Sequence, residues 1–327
     1  MQVLIVKLSS LGDVVHAMPA VQDLRAALPQ ARIDWVVERA FAPLVARCEG
    51  VQAVIACELR RWRKSPFARD TREAWRVFRR GLRASRYDAI LDLQGLTKSA
   101  LVARAARLAP AGQRFALGNQ TEGAGWELPT RLVADVAIAL PPRIDAVLRS
   151  RELCARALGY AVQGPPRFGL RADTRDFADE RHTVCFVHGT SREDKCWPEQ
   201  DWVLLGRRLA AQGFRIGLPQ GSAAERARSE RLAAAIGPQA RAWESMDLGR
   251  LTDRLGACAG VIGVDSGLSH IAVALDRPHV QIYNFDTAWR TGPLHGGRQK
   301  AVFARPQPTL EAVWRAWQDV APAEPRP

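Results

Sequence analysis

Asp13 is the first residue whose type and setting could do chemistry. It follows Ser9, Ser10 and Gly12, directly after the apolar run QVLIVK. Small residues at that point permit a tight turn with backbone N–H groups exposed at a helix start. A carboxylate held there can take the proton from a bound hydroxyl. It can equally cap the helix, worth about 1 kcal/mol. A second segment, GVIGVDSGLSHIAVAL, runs an apolar strand into Asp265, Ser266 and Gly267, with His270 one turn further on. A helix N-terminus there offers N–H donors and partial positive charge to a diphosphate. His270 reads either as a ligand contact or as a packed core histidine. A third segment, HGTSREDKCWP, supplies Thr190 and Ser191 as hydroxyl donors and Lys195 as a mobile point charge. Neither GxGxxG nor a P-loop pattern occurs in these turns, which removes the ordinary dinucleotide and NTPase readings.

The surrounding pattern must place these turns at strand ends. Runs such as QVLIVK, RIDWVVE, VQAVIAC and YDAILDL alternate with helix-period segments, and a second series begins at HTVCFVHG. That alternation predicts an α/β protein with parallel sheets. A length of 327 residues suits two domains. GPPRFGL is the expected linker, giving domains over residues 1–163 and 164–308. Residues 309–327 are expected to form a terminal helix packing back across the domains. Open α/β sheets bind ligands beyond the carboxyl ends of their strands, so two facing sheets offer two half-sites across a cleft.

The net charge of +13 is unevenly spread. Residues 1–170 hold 26 Lys and Arg against 15 Asp and Glu, whereas residues 171–327 hold 21 against 19. Residues 60–86 alone carry eleven basic side chains and two acidic ones. Such a field attracts an anionic partner, whether nucleic acid, an acidic membrane surface or an acidic substrate, unless it is only a solvated helix face. Its densest part, Arg60, Arg61, Arg63 and Lys64, is expected in a loop after VQAVIAC. The six cysteines form no CxxC pair and read as reduced core residues. No apolar run reaches membrane-spanning length. The absence of an export leader at Met1 points to the cytoplasm.

These segments, in this order, resemble glycosyltransferase family 9, the lipopolysaccharide heptosyltransferases, and its type I branch in particular. The matching stretches are VLIVKLSSLGDVVHAMPA, DWVVE, LRRWRK, YDAILDLQGLTKSA, HGTSREDKCWP, LPQGS and VDSGLSHIAVALDRP. The resemblance implies the GT-B fold, two Rossmann-like domains facing a cleft. It implies inverting transfer of L-glycero-D-manno-heptose from its ADP-activated form to a Kdo residue of lipid A-linked core. Asp13 matches the general base. Thr190, Ser191 and Lys195 match donor diphosphate contacts, Glu225 the ribose site and Met246 the adenine pocket. Asp265, Ser266, Gly267 and His270 match the loop around the diphosphate and heptose. Arg60, Arg61, Arg63 and Lys64 match the acceptor segment. No obligatory metal is expected, because Lys195 and a helix end can neutralise the diphosphate. The expected setting is peripheral, on the cytoplasmic face of the inner membrane, with no nucleic-acid partner. Two segments depart from the family pattern: Tyr283-Asn284-Phe285-Asp286-Thr287, and Asp145-Ala146-Val147-Leu148-Arg149. A different sugar nucleotide or acceptor, or a basic nucleic-acid-binding protein, are the rival readings.

Overall fold

The computed structural model describes residues 1–293 and 297–322. It divides into two compact units, Met1–Leu170 and Arg171–Pro327. The division follows Leu170 rather than Gln163. The backbone explains the difference: Leu170 bridges antiparallel to Cys48, and Glu49 N–H donates to Gly169 O at 2.8 Å. The proline- and glycine-rich segment therefore stays with the first unit up to its last residue.

The first unit runs β1 (Gln2–Val6), α1 (Leu11–Ala27), β2 (Arg32–Glu38), α2 (Ala42–Val45), β3 (Val51–Cys57), α3 (Leu59–Lys64) and α4 (Arg69–Leu82). It continues with β4 (Tyr87–Asp92), α5 (Thr97–Ala105), β5 (Leu108–Leu117), α6 (Pro129–Val133), β6 (Val136–Ile138) and α7 (Ala146–Leu158). The strands pair in parallel in the order β3-β2-β1-β4-β5-β6. Strand β1 is central because both its faces are apolar: Val3, Leu4, Ile5 and Val6 are fully buried. Val6 lies opposite Val36 on one side and Asp92 on the other, so the strand ends around Lys7 are level.

The second unit runs β7 (Thr183–Val187), α8 (Glu199–Ala211), β8 (Arg215–Leu218), α9 (Ala223–Ile236), β9 (Ala240–Ala242), α10 (Leu248–Ala257) and β10 (Gly260–Val264). It ends with α11 (Gly267–Ala274), β11 (His279–Tyr283), α12 (Ala288–Thr291), β12 (Gln299–Phe303) and α13 (Leu310–Val320). Its parallel order is β12-β11-β10-β7-β8-β9, the same winding as the first sheet. Each chain path reverses direction once, between β1 and β4 and between β7 and β10, and open α/β sheets in general bind ligands at such switch points.

Helix α13, from the segment expected to pack back across the domains, is anchored in the second unit. Its Trp314 and Trp317 are buried in the second unit's own core beside Val184, Ile262 and Val280, and it packs on α8, β11 and β12. Two tryptophans on one helix face provide enough apolar area to fix it there. Residues 323–327 of that expected segment lie outside the described residues. Among the described residues, no helix is long and apolar enough to cross a membrane.

Candidate active site

At the first switch point, Asp13 is the third residue of α1, behind the N-cap Ser10. Its Oδ2 accepts from Ser10 N–H at 3.2 Å and from Ser10 Oγ at 2.8 Å. Capping therefore immobilises one carboxylate oxygen, as the serine-rich turn suggests. The other oxygen faces two buried cations. Lys7 Nζ donates to Asp13 Oδ1 at 3.4 Å, and Arg149 Nη2 lies 3.6 Å from the same atom. Arg149 arrives because α7 packs along α1, and its Nη1 also donates to Thr121 Oγ1 at 3.2 Å. Lys7 is tied to Leu93 O at 3.0 Å. Gln94 Oε1 accepts from Leu8 and Ser9 N–H at 3.0 and 3.1 Å, and Lys98 Nζ donates to Ser9 Oγ at 3.0 Å. The loop is thus stitched to its neighbour after β4.

Burial raises the Asp13 pKa, but Lys7, the Ser10 hydrogen bond, His16 and Arg149 together outweigh it. The carboxyl is held well below the usual carboxylate range. Burial and the nearby Arg149 pull the Lys7 ammonium pKa down, with Asp13 opposing them. Asp92 ends the adjacent strand and is buried. Burial pushes it up to about 6, although Gln94 and Gly95 N–H and Ser99 Oγ all donate to it.

The basic segment expected as a loop is instead the helix α3, at the carboxyl end of the edge strand β3. The reason is Trp62. Buried at its centre, it packs edge-on to Trp75 and tilted on Phe78, both at 5.4 Å. An apolar anchor fixes the turn, while Arg60, Arg61, Arg63 and Lys64 all remain exposed around it. Arg61 also pairs with Glu58 at 3.3 Å. Two strand spacings, ~10 Å, separate the end of β3 from that of β1.

At the second switch point, Lys195 sits in a short 3₁₀ turn after β7, and its Nζ donates to Asp265 Oδ2 at 2.5 Å. His270 Nε2 is 3.6 Å from the other oxygen, Asp265 Oδ1. Burial raises the Asp265 pKa, yet His270 and Lys195 outweigh it and hold the carboxyl well below its ordinary value. Thr190 Oγ1 donates to Asp265 O at 3.4 Å, and Ser191 is exposed beside it. Gly267 opens α11, and Ser266 is its N-cap, with an Oγ that is buried and has no hydrogen-bond partner. An orphaned hydroxyl at a helix N-terminus fits an anionic ligand better than a filled core.

Glu225 stands at the start of α9, after β8. Its Oε2 accepts from Gly221 N–H at 2.8 Å. Its Oε1 lies 2.6 Å from where a side chain on Gly189 would begin, so Glu225 closes over the turn after β7. Met246 is half-buried between β9 and α10. Met246, Glu225, Thr190 with Lys195, and Asp265 to His270 therefore follow β9, β8, β7 and β10, which are consecutive strands of the sheet. Three strand spacings make a track of ~14 Å.

Both segments that depart from the family pattern have local work. Asn284 Nδ2 donates to Asp194 O at 3.2 Å and Cys196 O at 3.0 Å, bracing the turn that carries Lys195. Asp145 caps α7, its Oδ1 accepting from Val147 and Leu148 N–H at 2.8 and 2.9 Å. That cap fixes the helix that delivers Arg149. Sequence reasoning missed Lys7, Arg149, Gln94 and Lys98. Lys7 left one signal: a lysine ending an otherwise apolar central strand.

Comparison with known proteins matches residues 75–313 to the model of glycosyltransferase family 9 (heptosyltransferase). The chain is 38% identical over 290 residues to lipopolysaccharide heptosyltransferase 1 of Escherichia coli K12, covering 86% of this chain and 88% of that protein. The solved structure of E. coli heptosyltransferase WaaC with ADP is similar at a TM-score of 0.87 and 34% identity, covering 98% of this chain and all, 100%, of the other. WaaC with ADP-2-deoxy-2-fluoro heptose gives a TM-score of 0.83 at the same 34% identity and the same coverage, 98% and 100%. The doubly wound pair of sheets, the turns at their switch points and these similarities agree: the chain belongs to glycosyltransferase family 9, the heptosyltransferases.

Proposed function

We propose that this glycosyltransferase moves L-glycero-D-manno-heptose from ADP-heptose to a Kdo hydroxyl of lipid A-linked core, with inversion at the anomeric carbon. The observation that carries the reading is the track along the second sheet. Its order, Met246, Glu225, Thr190 and Ser191 with Lys195, then Ser266 and Gly267, suits adenine, ribose and diphosphate laid end to end. Its ~14 Å length is that of an extended nucleoside diphosphate. The ADP-bound and ADP-sugar-bound WaaC structures support the same donor.

The acceptor oxygen attacks the anomeric carbon on the face opposite the diphosphate. That bond forms as the bond to the diphosphate oxygen breaks, and the departing electron pair goes to ADP. Lys195 and the N–H groups at the start of α11 neutralise the growing charge. Asp13 stays ionised across physiological pH and accepts the hydroxyl proton late, once bond formation has made it acidic. Asp265 and His270 position Lys195 and the helix end. With Lys195 and the helix end as the cationic groups at the diphosphate, the reaction needs no obligatory divalent ion. Arg60, Arg61, Arg63 and Lys64 attract the acidic acceptor, which keeps the enzyme peripheral at the cytoplasmic face of the membrane that carries it.

The test is reconstitution. Purified protein with ADP-heptose and Kdo-lipid A should yield heptosylated product and ADP in chelator, with the opposite anomeric configuration by NMR. A thermal-shift panel of ADP, UDP, GDP and CDP should single out ADP. Transfer from a UDP-sugar, retention of configuration, or activity restored only by metal would each overturn the corresponding part.

A further inference from the structure

The hairpin of α3 and α4 carries surface that the transfer reaction leaves unused. Helix α4 and the residue after it expose six arginines, Arg69, Arg72, Arg76, Arg79, Arg80 and Arg83. At helical spacing these fall within a sector of roughly 100°. Asp70 lies on another flank, about 100° from Arg69, and Glu73 borders the sector about 20° beyond Arg80. With Val54, Ala74 and Val77, these two acids line a groove of about 540 Å³ against β3. The sector itself holds six arginines and no acid.

Three large apolar side chains flank it. Phe67, in the turn between the helices, is 88% exposed, Val77 63% and Trp75 39%. Trp75 is only half free because it packs on Trp62 and Phe78 at 5.4 and 5.5 Å. Phe67 has no such packing role, and it sits between Lys64 and Arg69. Because α3 starts where β3 ends, this tip projects from the same edge of the sheet as the Asp13 loop. Apolar side chains beside an arginine stripe suit the headgroup boundary of a bilayer, where rings enter the acyl region and guanidinium groups meet phosphates.

We propose that the α3–α4 turn with Phe67 and the arginine sector of α4 is a docking surface for an anionic phospholipid bilayer. It rests on the reading of a lipid-anchored acceptor, and it would hold the Asp13 loop at the height of that acceptor's headgroup. A nucleic acid would be served by the arginines but gains little from Val77, an aliphatic chain with no face for stacking.

The test is co-sedimentation of the full chain with phosphatidylglycerol–phosphatidylethanolamine vesicles against phosphatidylcholine vesicles, beside turnover of a deacylated, water-soluble Kdo acceptor. Wild type should bind the anionic vesicles alone and lose them in high salt. Phe67→Ser should weaken that binding roughly tenfold, and Arg72→Gln, Arg76→Gln and Arg79→Gln together roughly a hundredfold. Both variants should turn over the soluble acceptor like wild type. Equal binding to phosphatidylcholine, undiminished binding by either variant, tighter binding to single-stranded RNA, or lost turnover on the soluble acceptor would overturn the docking surface. No turnover by wild type on that acceptor, with vesicle binding intact, would instead sink the proposed reaction.

Discussion

The two switch points are built on the same winding, and each buries a lysine–aspartate pair, but the pairs face opposite ways. In the first unit the Lys7 side chain is 2% exposed and Asp13 36%. In the second, Lys195 is 19% exposed and Asp265 9%. The first pair presents its carboxylate and hides its cation. The second presents its cation and hides its carboxylate. A group that must accept a proton has to reach the acceptor, and a group that must neutralise phosphate has to reach the donor. Under the proposed mechanism, one ion-pair device would serve opposite chemistry according to which partner is put outside.

The largest effect should come from the exposed carboxylate. Asp13→Asn keeps the shape and loses the base, so kcat should fall roughly 10²–10⁴-fold, while ADP affinity measured by calorimetry stays at the wild-type value. Early melting with near-normal turnover would reduce Asp13 to a helix cap. The exposed cation comes next. Lys195→Met should cost roughly 10²–10³-fold in kcat and also weaken ADP binding. If both variants lost ADP binding equally, the division of labour between the two pairs would fail.

The hidden partners should act through the exposed ones. Lys7→Met preserves a long unbranched side chain in the buried slot but removes the charge beside Asp13 Oδ1. The folded carboxyl is now held low by that charge, so its removal raises the pKa. The acid limb of the kcat/KM profile should then move up by at least about one pH unit. Arg149→Met should do the same by a smaller step, since its nitrogen is 3.6 Å away and also serves Thr121. A lower plateau with an unmoved acid limb would make both residues purely structural.

Much of this was visible along the chain. Apolar runs broken by glycine- and serine-bearing turns marked the strand ends, and Asp13, Lys195 and Asp265 were legible because each stands in such a turn. Their partners were not legible. Arg149 reaches Asp13 only because α7 lies along α1, a contact spanning most of the first unit that no local pattern encodes. Lys7 read as the last residue of a strand, with nothing to say that it turns inward to Leu93 and Asp13. The basic segment was placed in a loop because its composition hid Trp62, whose packing on Trp75 and Phe78 makes it a helix. The end of the first unit at Leu170 escaped notice for the same reason: tertiary packing decides it.

The finest contrast concerns the strand that faces each lysine across the switch point. Asp92 ends β4 and Asp265 follows β10, equivalent places in the two windings. Asp265 meets Lys195 and His270 and is held low. Asp92 meets only N–H and hydroxyl donors at hydrogen-bond distance, and burial pushes it up to about 6. A raised folded pKa means the folded state holds its proton more tightly than the unfolded chain. That contribution is full below the ordinary aspartate range and fades as pH rises toward 6. The fading amounts to at most about 3 kcal/mol. Asp92→Asn mimics the protonated form and can still accept from Gln94 and Gly95. The variant's Tm relative to wild type should therefore climb between about pH 4 and 6. A flat difference would mean that Asp92 is ionised throughout. Lys7 would then sit between two carboxylates and answer to Asp13 no more than to Asp92, and the two switch points would differ less than their exposures suggest.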